Sequence, residues 1–139
     1  MKKAYETKSE IEKVVSDFET CRTRKDDFHH AHHLVVAVVY LESFSLEAAV
    51  KKLRESLHRF LDHHSIDKQK YNETLTVFWL EMVVLELRRL PAGSTLVHKC
   101  NSVIEALNNP KLALEYYSDE VLWSEQARKA FVSPDLKRW

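Results

Sequence analysis

A single glycine, Gly93, and three prolines, Pro91, Pro110 and Pro134, are all that this chain of 139 residues offers for tight turns. Sheet proteins turn often and draw on glycine and proline to do so. Their scarcity argues against a many-stranded architecture and predicts long helices with few connections. The two cysteines, Cys21 and Cys100, stand far apart. Neither a disulfide framework nor a zinc site of close-spaced cysteine pairs is indicated. An excess of either charge is also missing, with 21 basic residues against 21 acidic ones. The densest basic stretch, Arg22, Arg24 and Lys25, runs straight into Asp26 and Asp27. Nucleic-acid binders carry a basic excess or stripe, so nucleic acid is not an expected partner. The longest uninterrupted apolar run, residues 34–41, is too short to span a bilayer, and no membrane partner is expected. No apolar run follows Met1, Lys2 and Lys3, so no secretory leader is expected and a cytoplasmic location is the default.

What is present is an ordinary globular balance, 45% apolar and 30% charged, in a length that suits one domain, residues 1–139. Ile11, Val14, Val15 and Phe18 recur at helical spacing and predict a first helix over residues 9–21. A second helix is predicted over residues 27–44 with Asp27 as N-cap. It is apolar on every face between Leu34 and Leu41, the pattern of a buried helix. Ser45 caps a third, residues 45–63, whose stripe runs Leu46, Ala49, Val50, Leu53, Leu57, Phe60 and Leu61, while Lys51, Lys52, Arg54 and Glu55 face out. A fourth spans residues 72–90, again apolar on most faces and stopped by Pro91. Ser94 caps a fifth, residues 94–107, and one or two short helices cover residues 111–131. The expected fold is therefore all-α, a single-domain antiparallel bundle of about five main helices plus short C-terminal ones. With short loops, helices two and four run parallel and start at the same end.

That topology gathers the unusual residues. His29, His30, His32 and His33 open the second helix, His58, His63 and His64 close the third, and Tyr71, Asn72, Glu73, Thr74 and Thr76 open the fourth. Seven of the eight histidines thus fall at one end, with His98 elsewhere. His30 and His33, three apart, share a helix face and are spaced to bind one metal ion. They converge on the small Ala37 and are taken as the inward pair, whereas His29 and His32 are expected to be wet. The positive end of the helix helps keep these rings neutral, as ligands must be. Glu73 is the candidate third metal ligand or general base, and Tyr71 the candidate group that orients a substrate. The same residues also read as a solvated polar cap, an adventitious surface chelate, and an N-cap with a first-turn acid. Glu81 reads as a carboxylate at a helix seam paired with an arginine. Glu55 and His58 match the spacing of di-iron bundles, but no second copy exists and the core lies on another face. The Phe78 and Trp79 pair reads as core, and Cys100 as an inert core thiol.

The segment Phe28, His30, His33, Leu34, followed some forty residues later by Tyr71, Asn72, Glu73, Thr74 and Thr76, resembles a group of small bacterial helical proteins. Their signatures are Phe-x-His-x-x-His-Leu and Tyr-His-Glu-Thr-x-Thr. The resemblance spans residues 28–90 and implies the same helical fold. It implies no activity. The chain departs from the pattern at Asn72, where the group carries histidine.

Three functions fit these observations. The first is a small metal-dependent enzyme using a divalent transition metal on His30, His33 and Glu73. Two parallel helix starts would favour an anionic substrate such as a carboxylate. The second is a non-catalytic metal- or ligand-binding module using the same residues. The third is a helical interaction protein with incidental histidines. A small-molecule ligand is the expected partner for the first two, and the oligomeric state is left open, a homo-oligomer included.

Overall fold

A computed structural model describes residues 3–139. Met1 and Lys2, which belong to the basic N-terminus read above, lie outside the described residues. Among those residues the chain is all helical: α1 (Lys8–Glu19), α2 (His30–Ser43), α3 (Leu46–His63), α4 (Glu73–Arg88), α5 (Leu96–Leu107), and the short α6 (Asp119–Leu122) and α7 (Glu125–Lys129). Single 3₁₀ turns at Lys25–Asp27, Lys68–Lys70 and Leu112–Glu115 precede α2, α4 and α6. No described helix is long and apolar enough to cross a membrane.

Local chemistry sets the ends. Thr7 and Glu10 form a capping box on α1: the Thr7 hydroxyl accepts from the Glu10 N–H at 3.2 Å and the Glu10 carboxylate accepts from the Thr7 N–H at 2.9 Å. Ser45 caps α3, accepting from Ala48 N–H at 3.2 Å. Two ends differ from the expected ones. Asp27 closes the 3₁₀ turn instead of capping α2; His29 holds the cap position, and its N–H donates to His32 Nδ1 at 2.9 Å. The reason lies in Phe28. Its extended backbone turns the ring inward to stack on Phe18 at 4.4 Å and against Phe60 at 5.3 Å, so the helix begins only after it. At α5 the cap is Thr95, which accepts from His98 N–H at 3.1 Å, because the Ser94 hydroxyl is already bonded to the Pro91 carbonyl at 2.7 Å.

The helix apolar all round sits in the middle: α2 packs against α1, α3, α4 and α5. Leu34, Val35, Val36 and Val38 on α2 and Phe78, Leu80 and Val83 on α4 are fully buried or nearly so. α1 adds Ile11, Val15 and Phe18 from one stripe, and α3 adds Ala49, Leu53 and Phe60. The single buried hydroxyl of α3, Ser56, meets Tyr40 at 2.9 Å, and Tyr40 in turn donates to Glu19 at 2.6 Å. The C-terminal segment wraps back over α4. Trp139 packs against Phe78 at 5.2 Å and donates its indole N–H to Glu81 at 3.2 Å. The partner of Glu81 is thus a tryptophan, not an arginine.

Replacing Val38 or Leu80, both 0% exposed, with aspartate would bury a carboxylate without a partner. Each change should cost about 4 kcal/mol or more, and Leu80→Ala about 2–5 kcal/mol from the cavity it leaves. Urea unfolding followed by circular dichroism measures both. Unchanged midpoints would mean that α2 and α4 are not the centre of the core.

Candidate functional site

The start of α4 is polar yet buried. Asn72, Glu73 and Thr74 are 6%, 8% and 0% exposed, and each is satisfied by a different segment. Asn72 Oδ1 accepts from Leu75 N–H at 3.0 Å, which caps the helix, while its Nδ2 donates to the Leu122 carbonyl at 2.9 Å. Thr74 Oγ1 donates to the carbonyl of Ala127 at 2.8 Å and accepts from Val132 N–H at 3.1 Å. Glu73 takes a two-pronged bond from Arg54 on α3, Nε to Oε1 at 2.9 Å and Nη2 to Oε2 at 2.7 Å, and accepts from the Tyr71 hydroxyl at 2.6 Å. Arg54, expected to face out, instead folds over to this carboxylate, since a buried acid needs a cation. The guanidinium holds the Glu73 carboxyl below its usual range, whereas burial and the adjacent carboxylate raise the Tyr71 phenol.

Beside this turn lies a cavity of about 620 Å³. Phe28 lies just before α2, which contributes His30, His33 and Ala37; α3 contributes Leu57 and Phe60; Tyr71, Asn72, Leu75, Thr76 and Trp79 come from α4 and its approach. Residues from the C-terminal half, among them Leu114, Leu122 and Trp123, form the remaining wall. Both sequence segments singled out above therefore meet in one cavity.

The two histidines differ in their setting. The His30 ring stands edge-on to Trp79, centroids 4.3 Å apart, with Nε2 3.2 Å from the Leu107 carbonyl. A carbonyl only accepts, so Nε2 carries the proton and donates, which leaves Nδ1 of the neutral ring bare. Burial lowers the His30 pKa, against the opposing pull of that carbonyl. His33 packs on Phe28 at 4.4 Å, and burial, then the neighbouring His30 and His32, bring its pKa down to about 4. Burial thus acts in the same direction as the positive helix end. Of the pair expected to be wet, His29 is exposed, but His32 is half-buried, stacked on Phe28 at 5.9 Å and bonded to the His29 N–H.

Glu73 and the histidine pair do not share a cavity. The carboxylate faces a neighbouring one of about 370 Å³, lined also by Arg54, His58, Lys68, Arg128 and Lys129, and only Tyr71 borders both. His58 packs on Tyr71 at 4.4 Å. Among the described residues no group of three or more His, Cys, Asp or Glu is placed to hold a metal ion. The Glu73 oxygens are occupied by Arg54 and Tyr71. His98 is exposed near the start of α5, nine residues from Leu107, or roughly 13 Å along the helix from the end that meets His30. Cys100 is buried, and burial raises its thiol to about 12, which fits an inert core cysteine.

Sequence reasoning missed three kinds of site residue. Trp79, expected in the core beside Phe78, lines the cavity, although the row Asn72, Leu75, Thr76, Trp79 is one helix face and was there to be read. Lys25, Lys70 and Lys111 border the same cavity with no motif to announce them. Trp123, 53% exposed, comes from a segment whose periodicity is too short to orient it. Comparison with family models, curated proteins and solved structures finds no match to the chain.

The His33 setting makes stability depend on pH. The folded ring gives up its proton near pH 4, compared with an ordinary value of 6.5 in the unfolded chain. Between those values the unfolded chain holds more protons, so the contribution is complete above pH 6.5 and is lost as pH falls toward 4. Urea unfolding in the presence of a chelator at both pH extremes, repeated for His33→Gln, should show the unsubstituted protein losing about 1–3 kcal/mol more than the variant on acidification. Equal losses would mean that the ring is solvated.

Proposed function

We propose that this chain is a small-molecule-binding protein whose ligand occupies the cavity between the starts of α2 and α4. The observation that carries the reading is the convergence of both motif segments on one largely apolar space of about 620 Å³. Pockets of roughly 300–1,000 Å³ with apolar walls and a few placed polar groups are the usual form of a small-ligand site. Here the walls are aromatic and aliphatic, and His30, His33, Asn72 and Thr76 supply the polar points. The reading is one of binding and not of turnover. Tyr71 and Glu73, the candidate catalytic pair, are bonded to each other, and Glu73 is also bonded to Arg54. An imidazole whose proton affinity is lowered as far as that of His33 is a weak base.

The test uses uncharged naphthamide, followed by its effect on tryptophan fluorescence, since Trp79 and Trp123 both border the cavity. Saturable binding with one site in the micromolar range is expected. Leu75→Trp, which fills the space from a half-buried position, should weaken it at least about tenfold while leaving the far-ultraviolet spectrum unchanged. Binding that ignores this variant, or no saturable binding, would count against the cavity.

One observation favours a second reading, a divalent transition metal on His30 and His33. The Leu107 carbonyl orients His30 as backbone carbonyls orient metal-bound histidines, leaving Nδ1 free. Two imidazoles would leave the rest of the coordination shell to water or ligand. Zinc titration of His33→Ala and His32→Ala separates this from a surface chelate. Affinity should fall about 10- to 100-fold in the first and little in the second. Equal affinities, or a loss confined to His32→Ala, would reject it.

A further inference from the structure

We propose that the ligand of this cavity is an apolar organic acid, a hydrophobic body carrying one carboxylate, which enters body first and leaves its charge at a mouth ringed by Lys25, Lys70 and Lys111. The inference rests on the small-molecule reading above and adds the ligand's class.

The three lysines come from three separate segments: the 3₁₀ turn before α2, the 3₁₀ turn before α4, and the stretch just after Pro110. The fold brings them to one cavity, and all three are exposed. None is in an ion pair among the described residues, whereas Lys13, Lys52, Lys68, Lys99, Lys129 and Lys137 each lie within 4 Å of a carboxylate. No Asp or Glu lines the cavity. Of the acids next to Lys25 in sequence, Asp27 is 3.7 Å from Arg24 and borders a different cleft. In a chain with 21 basic and 21 acidic residues, three uncompensated cations around one opening are a local departure from balance. In the neighbouring cavity Glu73 and Glu125 are among the lining residues and pair with Arg54 and Lys129.

The interior offers no such charge. Phe28, Phe60 and Trp79 wall it, and a carboxylate pushed among them would be desolvated without a counter-ion. Its favourable place is therefore the mouth, beside the half-exposed Trp123, with the apolar body inside. The mouth has separate lysines and no arginine fork, and so offers point attraction to an anionic group.

The experiment compares naphthoate with the isosteric naphthamide by tryptophan fluorescence and calorimetry at low ionic strength, on the full chain. Naphthoate should bind about tenfold tighter, and the advantage should shrink in molar salt. The triple variant Lys25→Gln, Lys70→Gln, Lys111→Gln alters only exposed side chains and should keep its fold. In it the affinity for the acid should fall to that for the amide. Equal affinity for the two probes in the unsubstituted protein, or a preference that survives the triple variant, overturns the organic-acid inference while leaving the cavity reading intact. Failure of both probes to bind overturns the two together.

Discussion

Three consecutive polar side chains buried at the start of α4 hold this end of the molecule together. Asn72, Glu73 and Thr74 point in three directions and tie three otherwise separate parts: α6 through the Leu122 carbonyl, α3 through Arg54, and the segment around Ala127 and Val132. Each group would be costly if left unpaired, at about 1–3 kcal/mol for a neutral one and more for the carboxylate. The turn is therefore stable only when all three partners are in place. That condition fixes the C-terminal half of the chain against the bundle. α6 and α7 are too short to stand as helices on their own, yet they form one wall of the main cavity. The cavity thus exists because the polar turn is satisfied.

The same turn sorts the charges. Glu73 is the one acid near the cavities that is deeply buried, and Arg54 cancels it with a bidentate fork. Tyr71 donates to it and so keeps its proton. On the other side of Tyr71 burial is the first cause that lowers the proton affinity of the imidazoles. The result is an interior that is polar at points but electrically neutral, with positive charge only at the rim. Such an arrangement favours a ligand whose own charge sits at one end.

Much of the scaffold could be read from residue patterns alone. Helices α2 and α4 are apolar on most faces, which demands burial, and their parallel order follows from the short connections around α3. The caps at Ser45 and Asn72 follow from side-chain chemistry. Other ends were not legible locally. Asp27 is a better N-cap by type than His29, but the pull of Phe28 into the Phe18 and Phe60 cluster overrides it. In the site, the inward turn of His30 and His33 was legible from Ala37, whereas the direction of Glu73 was not. Helix position places Glu73 near the histidines; its rotamer is decided by an arginine on another helix. The lysine rim was less visible still, because three unremarkable surface residues become a feature only once three segments are folded onto one opening.

Position 72 shows how the departure from the resembled pattern is to be weighed. The structural demand there is a side chain that accepts from Leu75 N–H and, at its other edge, donates to the Leu122 carbonyl. An amide does both at once. A neutral imidazole also does both, one nitrogen accepting and the other donating, and it would need to be neutral in a site this dry. Asparagine and histidine are therefore two solutions to one hydrogen-bonding problem. By the same reasoning, aspartate would keep the cap and lose the tether, leaving a carboxylate facing a carbonyl. The position is constrained to groups with a donor and an acceptor at opposite edges. This ties Asn72 to the wall that α6 contributes, beside the cavity that it also lines.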